Sequence, residues 1–312
     1  MTRVLITGGA GYIGRQLGNR LQQAGVYVVG IDRQLASPQA VDFPLQQLDI
    51  RDPSLASVMA QHSITHVVHL ASIVSPGGNE QLDYDVDVNG TRNVVKSCLQ
   101  ANVQHLTVTN NDAAYGYHAD SPDWIKETDP LRGNQAFSYS RHKLAVEDLL
   151  ARYRQEHPGL KQLVLRPGTV LGADTENMIT QLFCRPRLLA IRGSESPFVF
   201  IWDQDLVAVL QQGVLNSQQG CFNVAGDGAL SVSELAEIMS KPLLRVSAWL
   251  LRGVLRITHA LRLTKAGPHH VLFLRYRPVL ANNELKSTFG YTPMKTSREV
   301  FELFWQAKKN EK

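Results

Sequence analysis

Tyr139 and Lys143, in the run Tyr139-Ser-Arg-His-Lys143, stand four positions apart. On a helix that spacing puts a phenol and an ammonium on one face, one turn from each other. A free tyrosine titrates at about 10 and is a poor base at neutral pH. A neighbouring ammonium favours its phenolate and brings it toward working range. The chemistry such a pair can do is proton exchange with an alcohol or a carbonyl.

A second set of residues can hold the partner for that chemistry. Val4-Leu5-Ile6-Thr7 runs into Gly8-Gly9-Ala10-Gly11-Tyr12-Ile13-Gly14. Glycines at 8, 11 and 14 fit a tight turn, close backbone approach to a pyrophosphate, and close packing of helix on strand. The helix that follows offers free N–H groups and a positive dipole end to phosphates. Asp32 ends the next predicted strand, where a carboxylate suits a ribose diol and repels a 2′-phosphate. This favours NAD, while the adjacent Arg33 leaves NADP open. A third set lies in TVTNNDAAYGYH, residues 107–118, where a β-branched run stops at Asn110, Asn111 and Asp112. Asn111 can donate a hydrogen bond to a carbonyl but cannot relay a proton as a hydroxyl does. Thr109 shares its strand face, one step deeper.

The elements that position these residues alternate. Strands are predicted at Arg3–Thr7, Tyr27–Ile31, Thr65–Leu70, His105–Thr109 and Gln162–Leu165, with amphipathic helices at Gly11–Gln23, Tyr84–Ala101 and Ala136–Arg154. That rhythm predicts an α/β fold, a doubly wound parallel sheet of Rossmann type. It breaks after Arg166-Pro167-Gly168, so residues 1–168 read as the dinucleotide-binding domain and 169–312 as mainly a smaller substrate-binding lobe on the sheet's carboxyl edge. A late strand near 221–225 is expected to rejoin the sheet. The chain has 312 residues, 44% hydrophobic and 19% charged, with a net charge of +4 and no basic run interleaved with aromatics, which argues against nucleic acid. Cys98, Cys184 and Cys221 lack C-x-x-C spacing and read as reduced thiols. No metal-ligand set is assigned. Met1 enters an apolar strand directly, read as leaving no room for a signal peptide, and no apolar run reaches membrane-span length. The expectation is a cytoplasmic protein.

The glycine spacing together with the Tyr139/Lys143 pair resembles the extended short-chain dehydrogenase/reductases, the NAD-dependent epimerase/dehydratase group. Further matches follow in order: Leu48-Asp49-Ile50, His69-Leu70-Ala71-Ser72, Val88-Asn89-Gly90-Thr91, Arg166-Pro167-Gly168, Phe222-Asn223-Val224 and Phe289-Gly290-Tyr291-Thr292-Pro293. The resemblance implies that Asp49 and Ile50 contact adenine, that Leu70 and Ala71 pass the cofactor's phosphates with Ser72 toward the substrate, and that Pro167 lies beside the nicotinamide. It also implies that Lys143 holds the nicotinamide ribose while Tyr139 exchanges the proton. Two positions depart from the pattern. The family normally has Ser or Thr where Asn111 stands, and Asn where Asp87 stands. An altered or non-catalytic NAD-binding regulatory protein therefore stays open beside the enzyme.

For the substrate, nucleotide-sugar members of the family place an arginine two residues before the aromatic of an R-D-F-I-H stretch. The matching stretch is Phe198-Val199-Phe200-Ile201-Trp202-Asp203, with Phe198 at the arginine position. Losing that phosphate clamp points to a partly apolar substrate, although Phe198 reads equally as core and Arg192, Arg275 or Arg277 can take over the phosphate role. The expected function is an NAD(P)-dependent oxidoreductase acting on a secondary alcohol or ketone, with a nucleotide-sugar 4-epimerase as alternative. Residues 243–263 carry Arg245, Arg252, Arg256 and His259 on one helical stripe and Leu250, Val254, Ile257 and Leu261 opposite. The plain expectation is a lobe helix whose apolar face packs on the core; the sharper one is a weak membrane-surface contact. The resemblance also implies a homodimer through the helices near 84–101 and 136–156.

Overall fold

The β-branched runs of the first half become parallel strands because both of their faces are covered by helices. The computed structural model describes residues 1–35, 41–73, 79–261, 263–264 and 267–310. In chain order, β1 (Arg3–Thr7), α1 (Tyr12–Gln23), β2 (Tyr27–Asp32), β3 (Leu45–Gln47), α2 (Leu55–Gln61) and β4 (His66–His69) lay down one half of the sheet. There follow α3 (Glu80–Tyr84), a π-helical turn (Asp85–Gly90), α4 (Thr91–Gln100), β5 (His105–Thr109), α5 (Ser138–Glu156) and β6 (Lys161–Pro167). Beyond them lie β7 (Thr169–Leu171), α6 (Met178–Phe183), β8 (Leu188–Ile191), β9 (Phe200–Trp202), α7 (Asp203–Leu215) and β10 (Gly220–Val224). The chain closes with α8 (Val232–Met239), β11 (Leu243–Val246), α9 (Ala248–Ala260), α10 (His270–Arg275), α11 (Asn283–Ser287) and α12 (Ser297–Asn310).

Seven strands form one sheet in the order β10-β6-β5-β4-β1-β2-β3, and every pair is parallel. All carboxyl ends therefore share one edge, with the reversal of strand order beside β1. One face of the sheet packs α2, α4 and α5 around Leu106, Val94 and Leu150. The other packs α1 and α7 around Ile6, Leu17 and Leu210. A third core gathers Phe183, Phe198, Phe200, Phe301 and Phe304 under the C-terminal elements, where the short pairs β7–β9 and β8–β11 lie.

Two segments differ from the sequence reading. The single helix expected over 84–101 begins earlier, at Glu80, because the Asn79 side chain caps it by accepting from Gln81 and Leu82 N–H at 3.1 and 3.2 Å. It then widens into the π turn before resuming as α4. Residues 243–260 are a strand followed by a helix, and α9 contains no buried residue. The expectation that its apolar face packs on the core fails: Leu250, Val254, Ile257 and Leu261 are all exposed. No helix among the described residues is long and apolar enough to cross a membrane.

Candidate active site

The first turns of α5 carry Tyr139 and Lys143 to the carboxyl edge of β5. Lys143 is almost wholly buried, and its Nζ donates to Ser72 Oγ and pairs with Asp87 Oδ2 at 3.0 Å. Asp87 is a hub: its Oδ1 accepts from Ser72 Oγ at 3.0 Å and from Ile73 N–H at 2.8 Å. Its backbone carbonyl accepts from Thr91 Oγ1 at 2.5 Å, and His69 Nε2 meets that hydroxyl at 3.0 Å. With Thr91 donating onward, His69 is the donor to Thr91, so its Nδ1 accepts from Thr7 Oγ1 at 2.7 Å. Burial keeps this imidazole neutral, its pKa pushed down to about 4. Thr7, His69, Thr91, Asp87 and Lys143 thus form one polar chain running from β1 to α5.

The ammonium does not act on Tyr139 as the spacing alone implied. Its Nζ lies 5.2 Å from the Tyr139 ring centroid, but Asp87 compensates its charge. Burial is the largest cause holding the Tyr139 hydroxyl well above the ordinary tyrosine range, with Asp87 and Asp112 adding to it and the Asn111 hydrogen bond opposing. Tyr139 therefore stands as a neutral phenol at pH 7, a proton donor rather than a ready base.

Asn111 reaches this hydroxyl directly. Its Oδ1 accepts from Ala113 N–H at 3.0 Å, capping the short turn Asp112–Ala114. With the oxygen fixed by a backbone donor, Nδ2 must face the other way, and there it donates to Tyr139 Oη. The expected donor to a substrate oxygen is, in this structure, a donor to the tyrosine. Asn110, one residue earlier, points into α5 and donates to the Lys143 carbonyl at 3.0 Å and to Glu147 Oε1 at 3.1 Å.

The glycine loop fits a pyrophosphate. Gly8 has φ +72°, and a Cβ there would come within 2.9 Å of Ala71 N. A Cβ on Gly14 would meet Gly8 O at 2.2 Å, so helix and loop could not close on each other. The first ladder bond of α1 runs from Arg15 N to Gly11 O at 3.0 Å, which leaves the N–H groups of Tyr12, Ile13 and Gly14 outside the helix's own ladder. Asp32 ends β2 against this loop, accepting from Ala10 N–H at 3.2 Å. Tyr12 Oη donates to Asp203 Oδ2 at 2.5 Å, tying α1 to α7, and its pKa is pushed up to about 12 by burial and this carboxylate.

A cavity of about 560 Å³ opens at this edge. Of the residues proposed from sequence, Tyr12, Ile13, Leu70, Ser72, Asn111, Tyr139, Lys143 and Pro167 line it, as does Thr109. Gly8, Gly11, Gly14, Asp32, Arg33 and Ala71 lie outside its lining, at or beside the glycine loop. Asp49 is engaged by Arg51 at 2.7 Å, which holds its carboxyl below the usual range. Ile50 is core, packed where a Cβ on Gly90 would come within 2.5 Å of it. Phe198 and Arg275 do not line the cavity. Phe198 is buried beneath Arg277, whose guanidinium carbon lies 3.7 Å from its ring centroid, and Arg275 rests over Tyr276 at 4.9 Å.

The wall beside Tyr139 is aromatic, built from Tyr117, Phe137 and Phe273, with the Phe137 ring centroid 6.2 Å from that of Tyr139. Arg277 enters it from the loop after α10, held between Phe198 and Phe273 and donating to Ser196 O at 2.7 Å. Desolvation lowers its pKa to about 9. Asp112 lines the same wall, with burial raising its carboxyl pKa to about 7. The sequence reading passed over Asp112 as a cavity group, although it sits next to Asn111 in the stretch that drew attention. Tyr117 and Phe137 gave no signal beyond their aromatic type. At the rim, Asp174 and Glu176 add further negative charge.

Residues 4–194 match the model of the NAD dependent epimerase/dehydratase family. An uncharacterised protein of Mycobacterium tuberculosis is 22% identical over 317 aligned positions, covering 98% of this chain and 84% of its own. A UDP-glucose 4-epimerase of Azospirillum brasilense is 37% identical over 183 positions, 55% of this chain and 50% of that one. Among solved structures, the UDP-glucose 4-epimerase of Thermus thermophilus in complex with NAD superposes with a TM-score of 0.78 at 23% identity, covering 99% of both chains.

Proposed function

The chain belongs to the NAD dependent epimerase/dehydratase family, and on that premise we propose that it is an NAD-binding oxidoreductase acting on a secondary alcohol or ketone of a partly apolar small molecule. The observation that carries this reading is the Tyr139 hydroxyl, held by Asn111 inside a cavity whose wall includes Tyr117, Phe137 and Phe273. Gly8, Gly11 and Gly14, the free N–H groups of α1 and Asp32 hold the cofactor's pyrophosphate and ribose; bound there, it supplies or accepts the hydride. NAD is favoured over NADP because Asp32, at the end of β2 beside the loop, would accept from a ribose diol and repel a 2′-phosphate.

The chain's own residues manage the proton. As a neutral phenol, Tyr139 donates to a substrate carbonyl oxygen during reduction and recovers the proton from the alcohol in the reverse direction. Asn111 Nδ2 stabilises the phenolate left after donation, because it already points at that oxygen. Lys143 is fixed by Ser72 and Asp87 so that its ammonium stays beside the Tyr139 ring.

Charge supports a weakly charged substrate. Lys143 is paired with Asp87 and Glu176 with Lys308, while Asp112 and Asp174 line the same cavity as Arg277, whose hydrogen bonds go to the uncharged Ser196. A diphosphate would meet one cation outside an ion pair among the described residues, Arg277, with Asp112 and Asp174 in the same lining. The second reading, a nucleotide-sugar 4-epimerase, is favoured by the 37% identity over 183 positions, 55% of this chain, to a UDP-glucose 4-epimerase. A panel of alicyclic and hydroxysteroid-like alcohols and ketones, read by NADH absorbance, tests the first. Interconversion of UDP-sugars without net NADH would replace it with the second. Cofactor binding with turnover on neither panel would leave a regulatory NAD-binding protein. The same proposal includes a homodimer through α4 and α5, measurable by sedimentation.

A further inference from the structure

We propose that α9 docks the protein on an anionic lipid bilayer. The helix is thirteen residues long, about 20 Å, and no residue in it is buried. Its apolar side chains face outward: Leu250 is 47% exposed, Val254 48%, Ile257 62% and Leu261 63%. At about 100° per residue these four fall on one stripe, and Trp249, 76% exposed, lies between that stripe and the arginines. An aromatic ring so placed suits the boundary between acyl chains and headgroups. The helix meets the protein through the half-buried Ala248, Leu251, Leu255 and Thr258, a different side again.

Charge selects the occupant. Arg252, Arg256 and His259 share the stripe opposite the apolar one, Arg245 precedes them, and no acidic residue occurs between 243 and 263. Neither Arg252 nor Arg256 forms an ion pair with any described residue. A surface rich in anionic headgroups attracts each nearby Arg, and the arginine stems are long enough to keep their heads in water while the apolar stripe enters. The proposal stands apart from the reaction assigned above, although α9 packs on α10, which lends His270 and Phe273 to the cavity.

Flotation of the intact chain tests it. Vesicles of phosphatidylcholine mixed with an equal part of phosphatidylglycerol should carry the protein to the top of a gradient at low salt, and vesicles of phosphatidylcholine alone should not. Arg252→Gln with Arg256→Gln should lower the partition by roughly tenfold or more, and Ile257→Glu with Leu261→Glu should abolish it. These side chains are exposed, and an unchanged melting temperature in each variant separates lost docking from lost folding. No flotation on anionic vesicles would overturn the proposal, as would flotation that survives both double variants. If Ile257→Glu with Leu261→Glu instead splits a larger species in size exclusion, the face joins two copies and the bilayer reading fails.

Discussion

Two buried ion pairs sit one turn apart on α5, and they are built to opposite ends. Glu147 holds Arg166 from two sides: Nε reaches Oε1 and Nη2 reaches Oε2, each at 2.9 Å. Tyr115 Oη takes the third guanidinium nitrogen at 2.9 Å and Asn110 closes on Oε1. This bidentate pair is enclosed in the core and does not line the cavity beside Tyr139. Lys143 and Asp87 meet through single atoms, yet both are as deeply buried as the first pair. Lys143 also lines the cavity with its partner Ser72. A fork saturated on every nitrogen can only brace the β5–β6–α5 junction. An ammonium with one carboxylate and one hydroxyl still has a side turned to whatever enters.

Breaking the braced pair should show the largest effect, and on stability. Glu147→Ala strands Arg166 in the core and should cost about 3–5 kcal/mol of unfolding free energy, measured by chemical denaturation. A loss below about 1 kcal/mol would make the two pairs alike after all. Tyr139→Phe removes the proton carrier on the open side and should lower turnover by roughly 10²–10⁴-fold, with little change in melting temperature. Asp87→Asn sharpens the contrast further. It takes away a carboxylate that holds the Tyr139 hydroxyl up, so the alkaline limb of the pH–rate profile should move to lower pH; a profile that stays in place would show that Asp87 acts only as a brace.

Smaller effects follow at the cavity wall. Asn111→Ala should reduce turnover by about tenfold, less than Tyr139→Phe, and Asn111→Ser should retain or raise it. Asp112 has a folded pKa raised from 3.8 to about 7. A raised pKa contributes stability that is full below pH 3.8 and fades as pH climbs through about 7. The melting temperature of Asp112→Asn relative to the parent should therefore rise across that window and level off above it.

Six of the seven sheet strands were legible because each carries its own signal, a short apolar, mostly β-branched run bounded by glycine or polar residues, as in Arg3–Thr7 before Gly8; β3, the three residues Leu45–Gln47, carries none and was missed. The glycine loop was legible for the same local reason. What stayed hidden depended on facing partners. Tyr139 and Lys143 could be paired by their spacing, but the charge on Lys143 is compensated by Asp87, which lies far off in sequence and was visible only as a departure from the family pattern. Arg275 and Arg277 are two residues apart, and composition offers no way to tell which guanidinium enters the cavity. Periodicity placed Leu250, Val254, Ile257 and Leu261 on one face of α9, yet it is silent on what that face meets.

The π turn at Asp85–Gly90 makes this stretch of chain intolerant of length change. It holds one residue more per turn than an α-helix would. Removing a single residue would restore ordinary winding and move the residues of the turn itself, Asp87 among them, out of their present positions. Asp87 would then leave both Lys143 and the Ile73 N–H in one step. A deletion of that kind is routine on a surface loop; here it would disconnect the two halves of the cleft without altering any side chain that lines it.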